Sequence, residues 1–423
     1  MRRSPILFLI FTTFTLLMVA ATFTIAADKK LTFTTTSPEA KSYLKQAYAK
    51  IDNQQFPEAR ELVTKALQAD SSFAMAHYEA GSIAQSQEAG KKHFEKASAL
   101  AKNASEVEQL YIEGNAARRA NDNVKAAEIF TKLSKLVPGE RRVFFNLAQA
   151  QFGDKNYDGA LNTLQTVSTM EPDYIQAYNL RANAYMMKGD FAAARKSHYE
   201  ALQRMAKDRN NAGNYFGLAI SFVYENQPDS ALAVLDRGFE DFKVRSPQGV
   251  PVFMWNAKGR INLENGRNEE ALKCYAMGYA LVPSSTLSAD DKQLWLGRLH
   301  HGMGRTLSQM GKHAEAWAHA DTIKMMIDAA GEKGKPYVPA YHYLAGYLRL
   351  ESGDNAQAIE HLKQAEQDDY FIKYLLVRAY EATEEKDKAR ALLEEIVNKP
   401  EPGLDRALVY NEAKSKLEMY SAK

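Results

Sequence analysis

The sequence predicts an all-α protein built as a solenoid of about ten helical hairpins, and three features carry this prediction. A small residue recurs at intervals of 31 to 45 residues, apolar residues follow it at four and seven positions, and a second small residue precedes it by twelve. Offsets of four and seven lie on one face of a helix. The recurring small residues, called anchors here, are Ala59, Gly90, Ala126, Ala160, Ala194, Ala231, Ala271, Ala316, Ala358 and Ala389.

A second helix precedes each anchor, so that each repeat is a helical hairpin. Two antiparallel helices approach closely only where side chains are small, and we expect the two small positions to be that contact. Gly, Asn and Asp between the helices, as in 121–123 and 189–191, predict turns and caps. Pro138, Pro172 and Pro283 end second helices, because proline cannot continue a helix. The small residues twelve positions before the anchors are Ala47, Gly114, Ala148, Ala182, Ala219, Gly259, Gly304 and Gly346.

Residues 1–27 have the pattern of a secretory signal peptide. Arg2 and Arg3 precede an uncharged, largely apolar run that ends in the small residues Ala26 and Ala27. About 20 apolar residues can also span a bilayer, so the alternative is an uncleaved N-terminal anchor. We therefore expect an exported protein, periplasmic or secreted, or one held in the inner membrane by residues 4–27.

The start of the solenoid follows a short linker. Residues 28–37 are interpreted as that linker, and Ser37-Pro38-Glu39 predicts the beginning of the first helix. The hairpins fill residues 38–400 and are most regular from Val107 to Ala206, where the repeat length is 34.

The remaining elements depart from this regular length. The repeat of Gly90 has room for only a short first helix. Extra residues near 284–292 and 327–340 predict longer turns between hairpins. Residues 401–423 contain a helical pattern after Pro402 and predict a capping helix that shields the last hairpin.

The repeat resembles the tetratricopeptide repeat family, a hairpin of about 34 residues with small side chains at its eighth and twentieth positions. The resemblance covers roughly residues 38–400, and the opening of the chain resembles exported bacterial members without an assigned partner. It implies a right-handed superhelical solenoid whose first helices line a concave groove. It also implies a binding protein without chemistry of its own, and therefore not an enzyme.

The charge balance gives no reason to expect nucleic acid as the partner. Without residues 1–27 the chain has 52 basic and 52 acidic residues. A net charge of zero also does not favour an anionic membrane surface, so a membrane would be reached only through an uncleaved leader.

Candidate metal and catalytic residues are sparse. His300, His301, His313, His319 and His342 form the densest histidine cluster, but their spacing lacks the pattern of a zinc site. We interpret them as packing or groove residues. No cofactor is expected.

Cys274 and the stretch 331–336 are interpreted as structural rather than catalytic. Cys274 is the only cysteine and lies on a predicted helix face, so we interpret it as a buried apolar residue. The stretch GEKGKP at 331–336 has neither the spacing nor the hydroxyl residue of a phosphate-binding loop, and we interpret it as a turn. The sequence contains no G-x-S-x-G nucleophile motif.

The candidate binding residues are the side chains that the first helices should present to the groove. Asn can hold a peptide backbone, Arg can bind a carboxylate, and aromatic rings give contact area at little entropic cost. These candidates are Tyr111, Asn115, Arg118, Arg142, Phe145, Gln149, Asn179, Asn183, Phe216, Asn256, Arg260, His301, Arg305, Tyr343 and Tyr347.

One family-specific arrangement matches in part. Some tetratricopeptide proteins clamp a carboxylate with two asparagines and several basic residues, and Asn115 and Asn146 align with those asparagines. Tyr111, Gln176 and Leu180 stand where the basic residues should be. Asn146 is retained as a candidate, but the clamp itself is not expected.

We therefore expect a scaffold or adaptor that binds a protein or peptide partner in the cell envelope and that could also self-associate. A glycan-binding or nutrient-uptake accessory protein is the main alternative, although the chain has only Trp255, Trp295 and Trp317 to offer as sugar platforms. A scaffold anchored by an uncleaved leader differs only in residues 4–27. A metal-dependent enzyme would need a site around His300 and His342.

Overall fold

The structure is a computed structural model that describes residues 30–205, 212–245, 252–285, 287–399 and 401–421. The predicted leader lies outside these residues. The described chain consists of helices joined by turns, without a strand, and divides into two compact units, residues 1–184 and 185–423. No helix within the described ranges is both long enough and apolar enough to cross a membrane.

Unit 1 contains α1 to α8, and the division between the units falls within α9. These helices are α1 (Pro38–Asp52), α2 (Phe56–Ala69), α3 (Ala74–Ser82), α4 (Gln87–Ala101), α5 (Glu106–Arg119), α6 (Asn123–Leu136), α7 (Arg141–Gly153), α8 (Tyr157–Met170) and α9 (Ile175–Met187).

Unit 2 contains the helices from α10 onward and one 3₁₀-helix. They are α10 (Phe191–Arg204), α11 (Ala212–Tyr224), α12 (Pro228–Arg245), α13 (Val252–Glu264), α14 (Asn268–Leu281), α15 (Ala289–Gln309), α16 (His313–Ala330), the 3₁₀-helix Gly331–Tyr337, α17 (Val338–Glu351), α18 (Asn355–Leu362), α19 (Tyr370–Ala382), α20 (Lys386–Asn398) and α21 (Leu404–Ser421).

The helices follow one another as hairpins, as predicted. Ten consecutive pairs precede the closing helix α21 in the described chain, and neighbouring helices pack together within each unit. Helix α3 has only nine residues, which confirms the short first helix of the Gly90 repeat. The all-α hairpin solenoid expected from the sequence is thus confirmed.

The turn within each hairpin has a fixed geometry. In nine of the ten described hairpins the residue five positions before the anchor has a positive φ, from 55° to 81°. Gly or Asn, which tolerate this conformation, occupy six of these positions, and Gln54, Lys155 and Glu384 occupy the others. The left-handed residue ends the first helix, and a cap such as Asn156, whose Oδ1 accepts from Gly159 N at 3.0 Å, starts the second.

The close contact inside a hairpin differs in one respect from the expectation. At Gly114, Gly259 and Gly346 the glycine twelve positions before the anchor lies against the side chain four positions after the anchor, whereas Gly304 lies against Leu344 and the backbone carbonyl of its anchor Ala316. A Cβ on Gly114 would lie 2.9 Å from Phe130, and one on Gly259 would lie 2.6 Å from Tyr275. A small residue is required there because a large neighbour fills the space.

The extra residues near 327–340 do not form the long turn that the sequence predicted. Helix α16 continues to Ala330, Gly331 at φ 57° ends it, and residues 331–337 form a 3₁₀-helix instead of a turn. In the described residues near 284–292 the predicted long turn is cut short, because α15 begins at Ala289 behind its cap Ser288.

Charged groups hold together the first helices of unit 1, whose surface over α1, α3, α5 and α7 we call the inner face. Asp52 of α1 accepts hydrogen bonds from Arg141 at 2.7 Å and Arg142 at 2.6 Å, both on α7. Gln176 donates to the backbone carbonyl of Asp52 at 2.9 Å. Hairpins far apart in sequence therefore meet through their first helices.

Glu79 lies on the same face and is 5 % exposed. Burial raises the pKa of Glu79 to about 7, although the charge of Arg142 opposes this rise. The carboxyl group is therefore protonated in part of the folded population near neutral pH.

The first prediction tests the hairpin register. Ala160 is fully buried in α8, so Ala160→Leu should overpack the α7–α8 contact. We expect a loss of about 1–3 kcal/mol in the free energy of unfolding and a thermal midpoint lower by several degrees. The exposed Gln165→Leu on the same helix is the control and should change little. An unchanged midpoint for Ala160→Leu would show that the register is wrong.

The second prediction concerns Glu79 and pH. Because the pKa of the folded state exceeds that of the unfolded chain, folding favours the protonated form, and the free energy of unfolding should fall as pH rises from about 4.5 to about 7. Glu79→Gln should remove this part of the pH dependence, on the order of 2–3 kcal/mol. Urea unfolding of wild type, Glu79→Gln and the exposed control Glu61→Gln at pH 5 and pH 8 measures it. Equal pH dependence in all three proteins would contradict the assignment.

Candidate functional site

The structure distributes the sixteen predicted groove residues between the two units. Nine belong to unit 1 and seven to unit 2, and they differ in what surrounds them. Whether any of them binds a partner remains a prediction.

The unit 1 candidates are largely occupied by contacts within the protein. Asn115 is fully buried and donates to the backbone carbonyl of Tyr111 at 2.9 Å, while Tyr111 packs edge-on against Tyr78. Arg142 pairs with Asp52 and also lies over the ring of Tyr48 at 4.0 Å.

The other unit 1 candidates differ in their contacts and in their burial. Arg118 donates to the Asn115 side chain at 3.4 Å, and Phe145 meets Tyr174 edge-on. Asn146 is buried, Gln149 and Asn179 are half-buried, and Asn183 is exposed. In this conformation unit 1 presents few of its predicted residues to a partner.

Unit 2 gathers its candidates around one large cavity of about 1290 Å³. Six of its seven predicted residues line this cavity, while Tyr347 is buried behind it and accepts a hydrogen bond from Gln309. The six are Phe216, Asn256, Arg260, His301, Arg305 and Tyr343. They come from first helices of consecutive hairpins.

Two arginines form the floor of the cavity and each has a carboxylate partner. Arg260 pairs with Asp405 at the start of α21. Arg305 is 2 % exposed in its side chain, donates to the Tyr343 hydroxyl at 2.9 Å and lies 3.5 Å from Glu264.

These pairings leave donors unused. Nε and Nη2 of Arg260 and Nε of Arg305 are buried without a hydrogen-bond partner among the described residues. Nε2 of His301 also lacks a partner there, and it donates or accepts according to the tautomer of the ring. Buried donors without an acceptor are costly, so the floor favours a ligand that brings acceptor oxygens.

A third arginine stands at the cavity wall. Arg298 has no carboxylate partner among the described residues, and its guanidinium lies 4.7 Å from the ring centroid of Trp295. A guanidinium on an indole is positioned by the ring while its outer N–H groups stay available.

Burial and these arginines shift the pKa values of the titratable groups in the cavity. Burial, with Arg305 and Arg260 nearby, holds the pKa of His301 well below its usual range, so the imidazole is neutral at pH 7. Burial also raises the pKa of Asp369, as does the charge of Asp405. Burial opposes ionisation of Asp405 as well, but the charge and hydrogen bond of Arg260, together with Arg305, lower the pKa of Asp405.

Sequence reasoning missed Arg298, Trp295 and Asp405. Arg298 stands eighteen positions before its anchor, the same register as Arg142, so the projection that found Arg142 could have found it. No local sequence pattern indicated Asp405, because its partner Arg260 lies 145 residues earlier in the chain.

Three histidines of the predicted cluster, His300, His319 and His342, lie in histidine pairs. His300 lies 2.8 Å from His319, and His342 lies 3.0 Å from His361, each between the Nδ1 atoms of two helices in one hairpin. No group of three or more His, Cys, Asp or Glu suited to a metal occurs in the described ranges. Cys274 is buried, as expected.

Solved structures similar to this chain include proteins of helical repeats. The crystal structure of MamA is 17 % identical, covers 39 % of this chain and 91 % of its own, and gives a TM-score of 0.33. YrrB, described as a TPR protein with an unusual peptide-binding site, is 16 % identical over 56 % of this chain and 99 % of its own, with a TM-score of 0.34. The Cut9–Hcn1 hetero-tetramer of APC/C is 11 % identical over 84 % and 76 %, with a TM-score of 0.38.

Sequence profiles of the family match directly. Two profiles described as tetratricopeptide repeat match residues 44–105, 117–184, 216–286 and 349–401. These four segments span more than half of the chain and fall on the hairpins described above. The chain therefore belongs to the tetratricopeptide repeat family.

Proposed function

We propose that this protein is a scaffold that binds a segment of a partner protein in the cavity of unit 2. Members of the family generally act as scaffolds for protein–protein interaction. The observation that carries the proposal is the cavity itself, which is large and which six predicted groove residues line. Its volume exceeds that of typical small-ligand pockets, which favours a chain segment as the occupant.

The polar part of the cavity favours an acidic group on that segment. Arg298 has no carboxylate partner within the described ranges. Arg260 and Arg305 have buried N–H groups without a hydrogen-bond acceptor there. Asp405 already neutralises Arg260 in part, so the ligand acid is best placed between Arg298 and the unused donors. An Asp or Glu side chain or a chain-terminal carboxylate supplies the required oxygens.

The apolar part of the cavity favours a neighbouring hydrophobic side chain. Phe216 and Phe253 meet edge-on with ring centroids 5.7 Å apart, and Trp295 lies on the opposite helix α15. An aromatic wall next to Arg298 and the unused arginine donors suits an acidic residue that is followed or preceded by a hydrophobic one.

The site of action that we propose is the cell envelope. The support is the leader pattern of residues 1–27, with a basic start, an apolar run and a small-residue exit. Cleavage would release the protein to the periplasm or the exterior, and retention would anchor it.

The third prediction tests this function. Immobilised protein comprising residues 28–423, wild type or Arg298→Glu, captures proteins from an envelope extract, and mass spectrometry identifies them. Charge reversal places a carboxylate where the ligand acid should lie, so a true partner should be retained at least ten-fold less by Arg298→Glu.

The matched control is Arg390→Glu on α20, an exposed arginine whose one ion pair among the described residues is with Glu394, four residues away. It should retain the partner like the wild type. Proteins retained equally by all three baits would contradict the cavity as the binding site. Capture of nothing would also contradict it and would favour the glycan alternative, to be tested on a sugar array.

A further inference from the structure

Residues 31–35, here called the strap, lie extended across the inner face of unit 1. The sequence predicted a linker over residues 28–37. The described part is indeed non-helical, but it contacts the inner face. Leu31, Phe33 and Thr35 are half-buried, while Thr32 and Thr34 are exposed. Half-buried and exposed residues alternate as in an extended chain lying on a surface, although the hydroxyl of Thr34 also reaches that surface.

The inner face contacts the backbone of the strap through two carboxylates. Thr34 N donates to Glu108 Oε2 at 2.8 Å, and Leu31 N donates to Glu140 Oε2 at 3.2 Å. Glu108 lies on α5 and Glu140 caps α7, so the contacts bridge two hairpins. Hydrogen bonds to main-chain N–H groups recognise an extended peptide without regard to its side chains.

Side-chain contacts add selectivity. Phe33 stacks on Tyr48 with centroids 6.0 Å apart and meets Phe73 edge-on at 5.8 Å. Thr35 donates its hydroxyl to Asp70 at 2.6 Å. The inner face thus holds an aromatic ring and, two residues later, a hydroxyl group.

Thr34 makes the central contact. Its hydroxyl donates to Glu108 and accepts from Ser105 N at 2.9 Å. Glu108 is fully buried, and its second oxygen has no hydrogen-bond partner among the described residues. A buried carboxylate needs donors, and here an extended chain segment supplies most of them.

The strap can leave without unfolding a helix. It forms no regular secondary structure, and α1 keeps its own cap because Ser37 Oγ accepts from Ala40 N at 3.1 Å. Loss of the strap would uncover the aromatic pocket of Tyr48 and Phe73 and both carboxylates.

We propose that this part of the inner face is a second peptide-binding site, distinct from the unit 2 cavity, and that the strap occupies it in cis. The partner is an extended segment with an aromatic residue followed by two hydroxyl-bearing residues. Such a segment makes the same contacts in trans and displaces the strap.

The fourth prediction uses a fluorescent peptide of residues 30–37, KLTFTTTS, as the probe. It is titrated into residues 28–423, which contain every described residue, as wild type and as Phe33→Ala/Thr34→Ala. The weakened strap competes less, so the variant should bind the probe at least ten-fold more tightly than the wild type. A probe in which Phe is replaced by Ala should bind the variant at least ten-fold more weakly. Equal binding to both proteins, or no binding to the variant, would overturn the proposal.

A second measurement needs no variant, so it tests the proposal even if the double mutant does not fold. Hydrogen exchange in the wild type should show the amides of Leu31 and Thr34 protected relative to the free peptide. Excess isotopically labelled probe should reduce this protection, whereas a scrambled peptide of the same composition should not. Strap amides that exchange like a free peptide, or protection unchanged by excess probe, would also overturn the proposal.

Discussion

The structure depends on one packing constraint: a helical hairpin cannot bury its apolar face alone. Each hairpin closes where a small residue such as Gly114 accepts a large neighbour such as Phe130. A left-handed residue five positions before the anchor sets the turn. Because these features recur at fixed offsets, every first helix presents the same register positions to the inner side of its unit. The functional surfaces follow from this repetition.

The two units use this surface differently. In unit 1 the first helices are tied by Asp52 and the strap covers part of their inner face, so the predicted groove residues are mostly engaged. In unit 2 the start of α21 supplies Asp405 to Arg260, yet a cavity of about 1290 Å³ stays between the helices. The same repeat therefore forms an inner face in unit 1 that is largely covered and a surface in unit 2 that keeps an open cavity.

The sequence predicted the features that short-range patterns determine. Anchors, turns and the first-helix register are each encoded within about 34 residues, and the register placed six residues around one cavity. Contacts between distant residues had no such signal. Asp52 reaches Arg142 across 90 residues, and the strap reaches Glu108 across 74. The same limit explains why residues 28–37 looked like a linker and why the helical segment after Ala330 was predicted as a turn.

The central claim is that a partner segment occupies the unit 2 cavity. A photo-cross-linking amino acid placed at Trp295, in the cavity wall, tests it in cells of the source organism. The same amino acid at the exposed Lys324, on the second helix α16, is the reference. The account predicts a discrete protein adduct from position 295 and none from position 324. An adduct from position 324 alone, or from neither position, would contradict it.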